Sequence, residues 1–279
     1  MANKKTKHPT PLPGVAEAIL QISKKLGCTA QVTMIQSDSK FISLRRGEVE
    51  QLLTSLAIST GIRLFKGKKS TIISFSGENF ENMEAKIRTA LENLEYLCED
   101  EYKRLLESPE LVETPSPGNL DLIDEGYDAL DLKQIKKNLK QIESRALAFS
   151  PKILPSEMAE FSGRRSKTHL YTSTGIKKSF AKTSYSFSYT AVAYEENKGL
   201  RERDYWSEQK RHFEDLPPLE NLGIIGEIAA EKAIKRLGGE KIKSGERKVV
   251  FSRRTAGSLL DLLCNAVDGE EIVLKNSFL

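Results

Sequence analysis

TSYSFSYTAVAYEE, residues 183–196, places Tyr185, Phe187, Tyr189, Ala191 and Ala193 on one side of an extended backbone and Ser184, Ser186, Ser188, Thr190 and Val192 on the other. Period two marks a strand with one buried face, because successive side chains leave a pleated backbone on opposite sides. Three rings on one strand face can stack nucleic-acid bases. They also supply the apolar area a sheet face needs, and we assign them to a core. The alternation starts near Ser166, and Thr174-Gly175 provides a turn, so residues 166–195 predict a half-buried antiparallel sheet.

Upstream, Leu132, Ile135, Leu139, Ile142 and Ala146 recur at helical spacing and predict a helix that ends before Ser150-Pro151. Val15, Ile19, Ile22 and Leu26, between Pro13 and Gly27, predict an earlier one. TAQVTMIQ and KFISLRRGEVEQL read as two strands and a turn at Gly47, and GIRLF and STIISFS flank KGKK as a hairpin. Met83, Ile87, Leu91, Leu94, Cys98 and Leu105 form one stripe, which predicts a long surface helix of some six turns. Downstream, Leu219–Leu237 reads as a helix, KVVF at 248–251 as a short strand, and Ala256, Leu259, Leu260, Leu263 and Val267 as a last helix face. The closing EEIVLKNSFL reads as the start of another strand, and we expect a chain truncated before a further C-terminal region.

The fold class expected is therefore α+β. The divisions expected are a disordered arm at 1–13, a helix and antiparallel sheet region at 14–107, an acidic irregular linker at 108–130, and a helix plus antiparallel sheet region at 131–279.

With 279 residues, 29% charged and 39% hydrophobic, the chain has globular composition. No apolar run is long enough to span a membrane, and MANKKTKHPTPLPG has no apolar segment behind its charges, so no secretory signal is read. Cys28, Cys98 and Cys264 are scattered and odd in number, which suits a reducing cytoplasm. The net charge of +4 conceals two blocks: thirteen acids against two bases over 92–131, then seventeen bases against eight acids over 132–212. We read these as solvated faces.

Recognisable catalytic patterns are missing. His8, His169 and His212 are isolated from one another and from cysteine at ligand spacing, so no residue is assigned to metal, cofactor or catalysis. No GxSxG elbow is present. FKGKKST, residues 65–71, lacks the spacing of a phosphate loop and runs into a strand pattern instead of a helix. In RERDYWSEQKRH, residues 201–212, Tyr205 and Trp206 are adjacent, so on an extended segment one ring packs inward and the other faces out.

The order of several segments carries more information than any one of them. SLRRGEVEQL, GIRLFKGKK, YLCEDEY and LDLID, then SRALAFSPKILPSEMAEFSGRRSKTHLYTSTG, RDYW at Arg203, Asp204, Tyr205 and Trp206, SGERKVVFSRRTAGSLLDLL and NSFL together resemble the PmbA/TldD family from about residue 15 to the end. RDYW is similar to the signature of the PmbA side, also called TldE, and the chain has no HExxxH.

The resemblance implies a cytoplasmic two-subunit peptidase in which a TldD-like metallopeptidase subunit holds zinc and the TldE subunit completes the complex. Processing of peptide precursors, removal of a labile antitoxin and an older name, modulator of DNA gyrase, come with it. On this reading Arg203, Asp204, Tyr205 and Trp206 are structural or subunit-contact residues. The chain itself holds no cofactor, zinc sits in the partner, and a peptide is the substrate of the complex. The other reading is a nucleic-acid- or gyrase-associated binding module without enzymatic activity. It is motivated by the basic block and by the family's older name, but no helix-turn-helix, zinc-knuckle or RRM pattern accompanies that block.

Overall fold

The computed structural model describes residues 13–77, 80–105, 120–155 and 157–279. The arm expected at 1–13 and most of the expected linker lie outside these residues, apart from Pro13 and the stretch from Leu120 on. Chain contacts divide the molecule into two compact units, meeting in sequence at Gly238 and Gly239.

The first unit is an α+β body built on one seven-stranded sheet. Helix α1 (Pro13–Lys25) leads into β1 (Thr29–Arg45), β2 (Glu48–Lys66) and β3 (Lys69–Ser76), followed by helix α2 (Met83–Asn93). Helix α3 (Leu132–Phe149) precedes β4 (Ile153–Leu154), β5 (Ala159–Thr172), β6 (Lys177–Glu195) and β7 (Leu200–Lys210), and α4 (Ile224–Arg236) closes the unit. The path through the sheet is β3-β2-β1-β5-β6-β4, with β7 also on β6, and the pairings are antiparallel.

The sheet has one buried face with two cores on it. Tyr185, Phe187, Tyr189, Ala191 and Ala193 are all buried, as their alternation predicted, and they join Ile42, Leu44, Phe161 and the apolar faces of α3 and α4. Toward the other end of the same β1 face, Ala30, Val32 and Met34 pack with Ile62 and Leu64 under α1 and α2. Both cores use even positions of β1, so a single unbroken pleat serves both.

Two local devices fix the helices and the first hairpin. Arg46 and Gly47 both adopt positive φ, 54° and 76°, which matches the right-handed twist of the flanking strands in a two-residue turn. The buried Glu143 of α3 grips that turn: its carboxylate accepts the Arg46 N–H at 2.5 Å and the Gly47 N–H at 2.6 Å. Helix α4 crosses α3 at Gly226, where a Cβ would lie 2.0 Å from the Ile142 carbonyl oxygen. Only glycine permits that approach.

Three expected elements differ. The long helix from Met83 stops as α2 at Asn93, continues as one tight turn at Leu94–Tyr96, and becomes extended at Leu97. Glu95, Glu99, Asp100 and Glu101 would crowd negative charge at a helix C-terminus, which the helix dipole opposes. Tyr96, Leu97 and Cys98 are accordingly exposed, so the stripe buries nothing beyond Leu94.

In the second unit KVVF forms no strand, since no partner strand exists beside it among the described residues. The expected terminal strand is instead α6 (Gly269–Val273), following α5 (Arg253–Ala266). The Asp268 side chain caps α6 by accepting the Glu270 N–H, and Glu270 and Glu271 suit its first turn.

Candidate functional site

Strand β7 carries Arg203, Asp204, Tyr205 and Trp206, and its pairing with β6 decides where each points. Trp206 lies opposite Tyr189 and Asp204 opposite Ala191, both on the buried face. Arg203 and Tyr205 fall on the other face and are exposed.

The inward pair is locked to α4. Trp206 packs against the larger core, donates from Nε1 to Glu208 Oε1 at 3.0 Å, and holds the Lys232 ammonium 5.1 Å from its ring centroid. Asp204, 9% exposed, accepts the Tyr205 N–H at 2.8 Å and meets Arg236 Nη1 at 3.5 Å, while Arg236 Nε also approaches Glu202 at 3.6 Å. A carboxylate so placed orders a helix on a strand. The outward pair is of the kind that anchors interfaces, since arginine and tyrosine combine area with directed polar groups.

A second cluster was not read from the sequence. Tyr127, fully buried in the short turn Glu125–Ala129, donates from its hydroxyl to the Asp38 carbonyl oxygen at 2.9 Å and lies 3.3 Å from Asp38 Oδ1. Arg165 grips Asp128 with two bonds of 2.8 and 3.0 Å, reaches Asp38 Oδ2 at 3.3 Å, and lies 4.7 Å from the Tyr127 ring centroid. Lys40 donates to the Tyr127 carbonyl oxygen at 3.0 Å.

Burial and then Asp38 push the Tyr127 hydroxyl far above the ordinary tyrosine range, and burial lowers the Lys40 ammonium. Positions 38, 127 and 165 are too far apart in sequence to signal one another. The only trace is that polar Ser37, Asp38, Ser39 and Lys40 interrupt the apolar residues of β1. This network seals the seam between the two cores, and its groups are engaged with each other.

The histidines do not assemble. His8 lies outside the described residues. His169 sits on β5 beside Tyr171, with burial and then Lys167 lowering its pKa. His212 follows β7, with Nε2 3.1 Å from Asp121 Oδ1 and 3.2 Å from the Asp121 carbonyl oxygen; this backbone contact raises its pKa. Asp124 nearby is ordered differently. Burial pushes its carboxyl up, but the Phe213 and Gly126 N–H groups, at 3.0 and 2.7 Å, outweigh that and lower it. Among the described residues no three His, Cys, Asp or Glu side chains group as metal ligands would. None of the described helices is long and apolar enough to cross a membrane.

Known proteins resemble this chain in sequence and in fold. Residues 30–94 match the model of the PmbA/TldA metallopeptidase domain 1, and residues 125–237, which include all of β7, match that of the PmbA/TldA metallopeptidase central domain. A metalloprotease PmbA homolog of Haemophilus influenzae is 24% identical over 262 residues, 93% of this chain and 56% of that protein. One from Buchnera aphidicola is 27% identical over 137 residues, 49% of this chain and 30% of its own length. The chain thus spans about half, or less, of the length of these curated relatives.

Among solved structures, a Bacteroides thetaiotaomicron protein named as a modulator of DNA gyrase superposes with a TM-score of 0.81 at 23% identity, covering 95% of this chain and 59% of the other. TldE from Thermococcus kodakarensis gives 0.56 at 16% identity, covering 79% and 47%. Both share the fold.

Proposed function

Because the chain belongs to the PmbA/TldD family, we propose that it acts as a PmbA/TldE-type subunit of a TldD/TldE-type metallopeptidase, completing the assembly while a TldD-like partner carries the zinc. Peptide processing is then the activity of the complex, and a peptide is its substrate.

The observation that carries this reading is the division of the RDYW stretch. Asp204 and Trp206 are committed to holding α4 on the sheet, which leaves Arg203 and Tyr205 displayed on the opposite face. That is how a contact strand is built. A strand that performs proton transfer would instead bring titratable groups into reach of one enclosed point. RDYW, the stretch that resembles the TldE-side signature, lies on this strand and within the matched central domain, which supports the reading.

In the chemistry this implies, a metal held by the partner would activate the water, and this chain would supply surface. The test is to purify the chain alone and with a TldD-like subunit, then measure zinc content, peptide cleavage and association. The expected result is neither stoichiometric zinc nor turnover in the chain alone, and a complex that Arg203→Glu with Tyr205→Ala weakens without lowering the melting temperature. Tightly bound zinc with turnover by the chain alone would overturn the proposal.

A further inference from the structure

Strand β2 is longer than the strand beside it. It runs from Glu48 to Lys66, but β3 pairs only with Ser59–Lys66. Below Ser59 the half from Glu48 to Ile58 pairs with β1 on one side and, among the described residues, with no strand on the other.

The free side is the backbone side. The hairpin closes on Lys66 and Lys69 around two residues, so even positions of β2 direct their N–H and C=O groups toward β3. The Ile58 carbonyl oxygen follows this rule and accepts the Gly77 N–H at 2.8 Å, where the chain turns away. Leu56, Thr54 and Leu52 come next in the same phase. Their main-chain groups face the open notch, and among the described residues no backbone group bonds them there.

The side chains bordering the notch are unusual for a bare edge. All seven residues from Gln51 to Ala57 are exposed, and none from Gln51 to Ile62 is charged. Leu52 and Leu56, 58% and 40% exposed, stand on the face that carries Ile42, and Leu53, 56% exposed, on the other. Natural sheets blunt their edges with charge, proline or a covering element, and among the described residues the segment from Gln51 to Ile58 has none of these.

We propose that the open half of β2 is a strand-addition site for an extended, uncharged polypeptide segment of a partner, which continues the row of β3 and sets alternate apolar side chains beside Leu52 and Leu56. Main-chain bonds to Leu52, Thr54 and Leu56 supply affinity, and the leucines supply selectivity for apolar residues at every second position. The notch admits roughly nine residues, about 30 Å of strand. A second copy of this chain fits poorly. Pairing two β2 strands about Thr54 would drive the Arg46–Gly47 turn of one copy into the end of β3 of the other, because β3 ends at Ser76, opposite Ser59. A lone segment meets no such obstacle among the described residues. This surface is independent of the subunit assignment above, since it lies at the edge of the sheet opposite β7.

The probe is a fluorescein-labelled, acetylated seven-residue peptide alternating valine and threonine, titrated against the chain by anisotropy, with amide exchange followed by NMR. Saturable binding is expected, with slowed exchange at Leu52, Thr54 and Leu56. Thr54→Pro removes an outward N–H at an edge position that tolerates proline, and should weaken binding about tenfold or more. Leu56→Lys, a change at an exposed site, should do the same with unchanged melting. The proposal is overturned by lack of saturable binding, by binding in either variant as tight as in the unaltered chain, or by slowed exchange centred on β3 or β7 instead. A dimer of the chain that Leu56→Lys dissociates would equally overturn it in favour of the second copy.

Discussion

Strand β7, one edge of the sheet, carries six charged residues among its eleven and is held under α4 through Asp204 and Trp206. The open half of β2, at the other edge, carries no charge between Gln51 and Ala57 and is bare on both faces. The two edges face the same physical hazard, a row of unpaired backbone groups. One is protected by charge and a docked helix, as edge strands ordinarily are. Among the described residues the other has neither protection, which is why it reads as a place for another strand, whereas β7 reads as a finished surface with two displayed side chains.

Disrupting the protected edge should have the largest effect. Gly226→Ala forces a Cβ against the Ile142 carbonyl and lifts α4, the cover of β7, from α3. A loss of about 3 kcal/mol is expected in denaturant melts, at the upper end of ordinary overpacking. Glu143→Ala comes next. It strips two turn N–H groups of their buried acceptor and loosens the hairpin that holds the open half of β2, with a cost of about 2–3 kcal/mol. Hydrogen exchange at Arg46 and Gly47 should rise with it.

Trp206→Ala removes a partly buried ring and should cost about 2 kcal/mol, less than full burial would imply. Its counterpart on the bare edge, Leu53→Ser, should change stability by no more than about 0.5 kcal/mol. Equal losses in that pair would erase the distinction between the two edges.

The smallest effect concerns the end of β7, which His212 ties to Asp121. The histidine's pKa is raised in the fold, so the stability it gives is fully present below about pH 6.5, its unfolded value, and is lost as pH rises through the folded pKa. Melting temperatures of the chain and of His212→Gln should therefore converge on going from pH 5.5 to 8. A gap that widens with pH would reverse the sign and refute the assignment.

Some of this was legible in the chain. The alternation from Tyr185 to Ala193 and the stripe from Leu132 to Ala146 name their buried faces directly, because each repeats at the period of its own backbone. The opposite facings of Tyr205 and Trp206 follow from adjacency alone. The length of α2 was not legible, since Cys98 and Leu105 keep the helical spacing although the acidic run ends the helix. The Asp38–Tyr127–Arg165 network was not legible either, for its members come from two strands and a turn that meet only when the sheet is assembled.

By itself the sequence determined which residues form the elements and which side of each is apolar, because local sterics and side-chain period act over a few residues. Tertiary structure decided which apolar sides are covered. Leu52, Leu53 and Leu56 are as hydrophobic as Ile42 and Leu44, yet they are exposed while the latter are buried. Burial depends on which helix or strand lies beside a residue, and β3 ends before it reaches them.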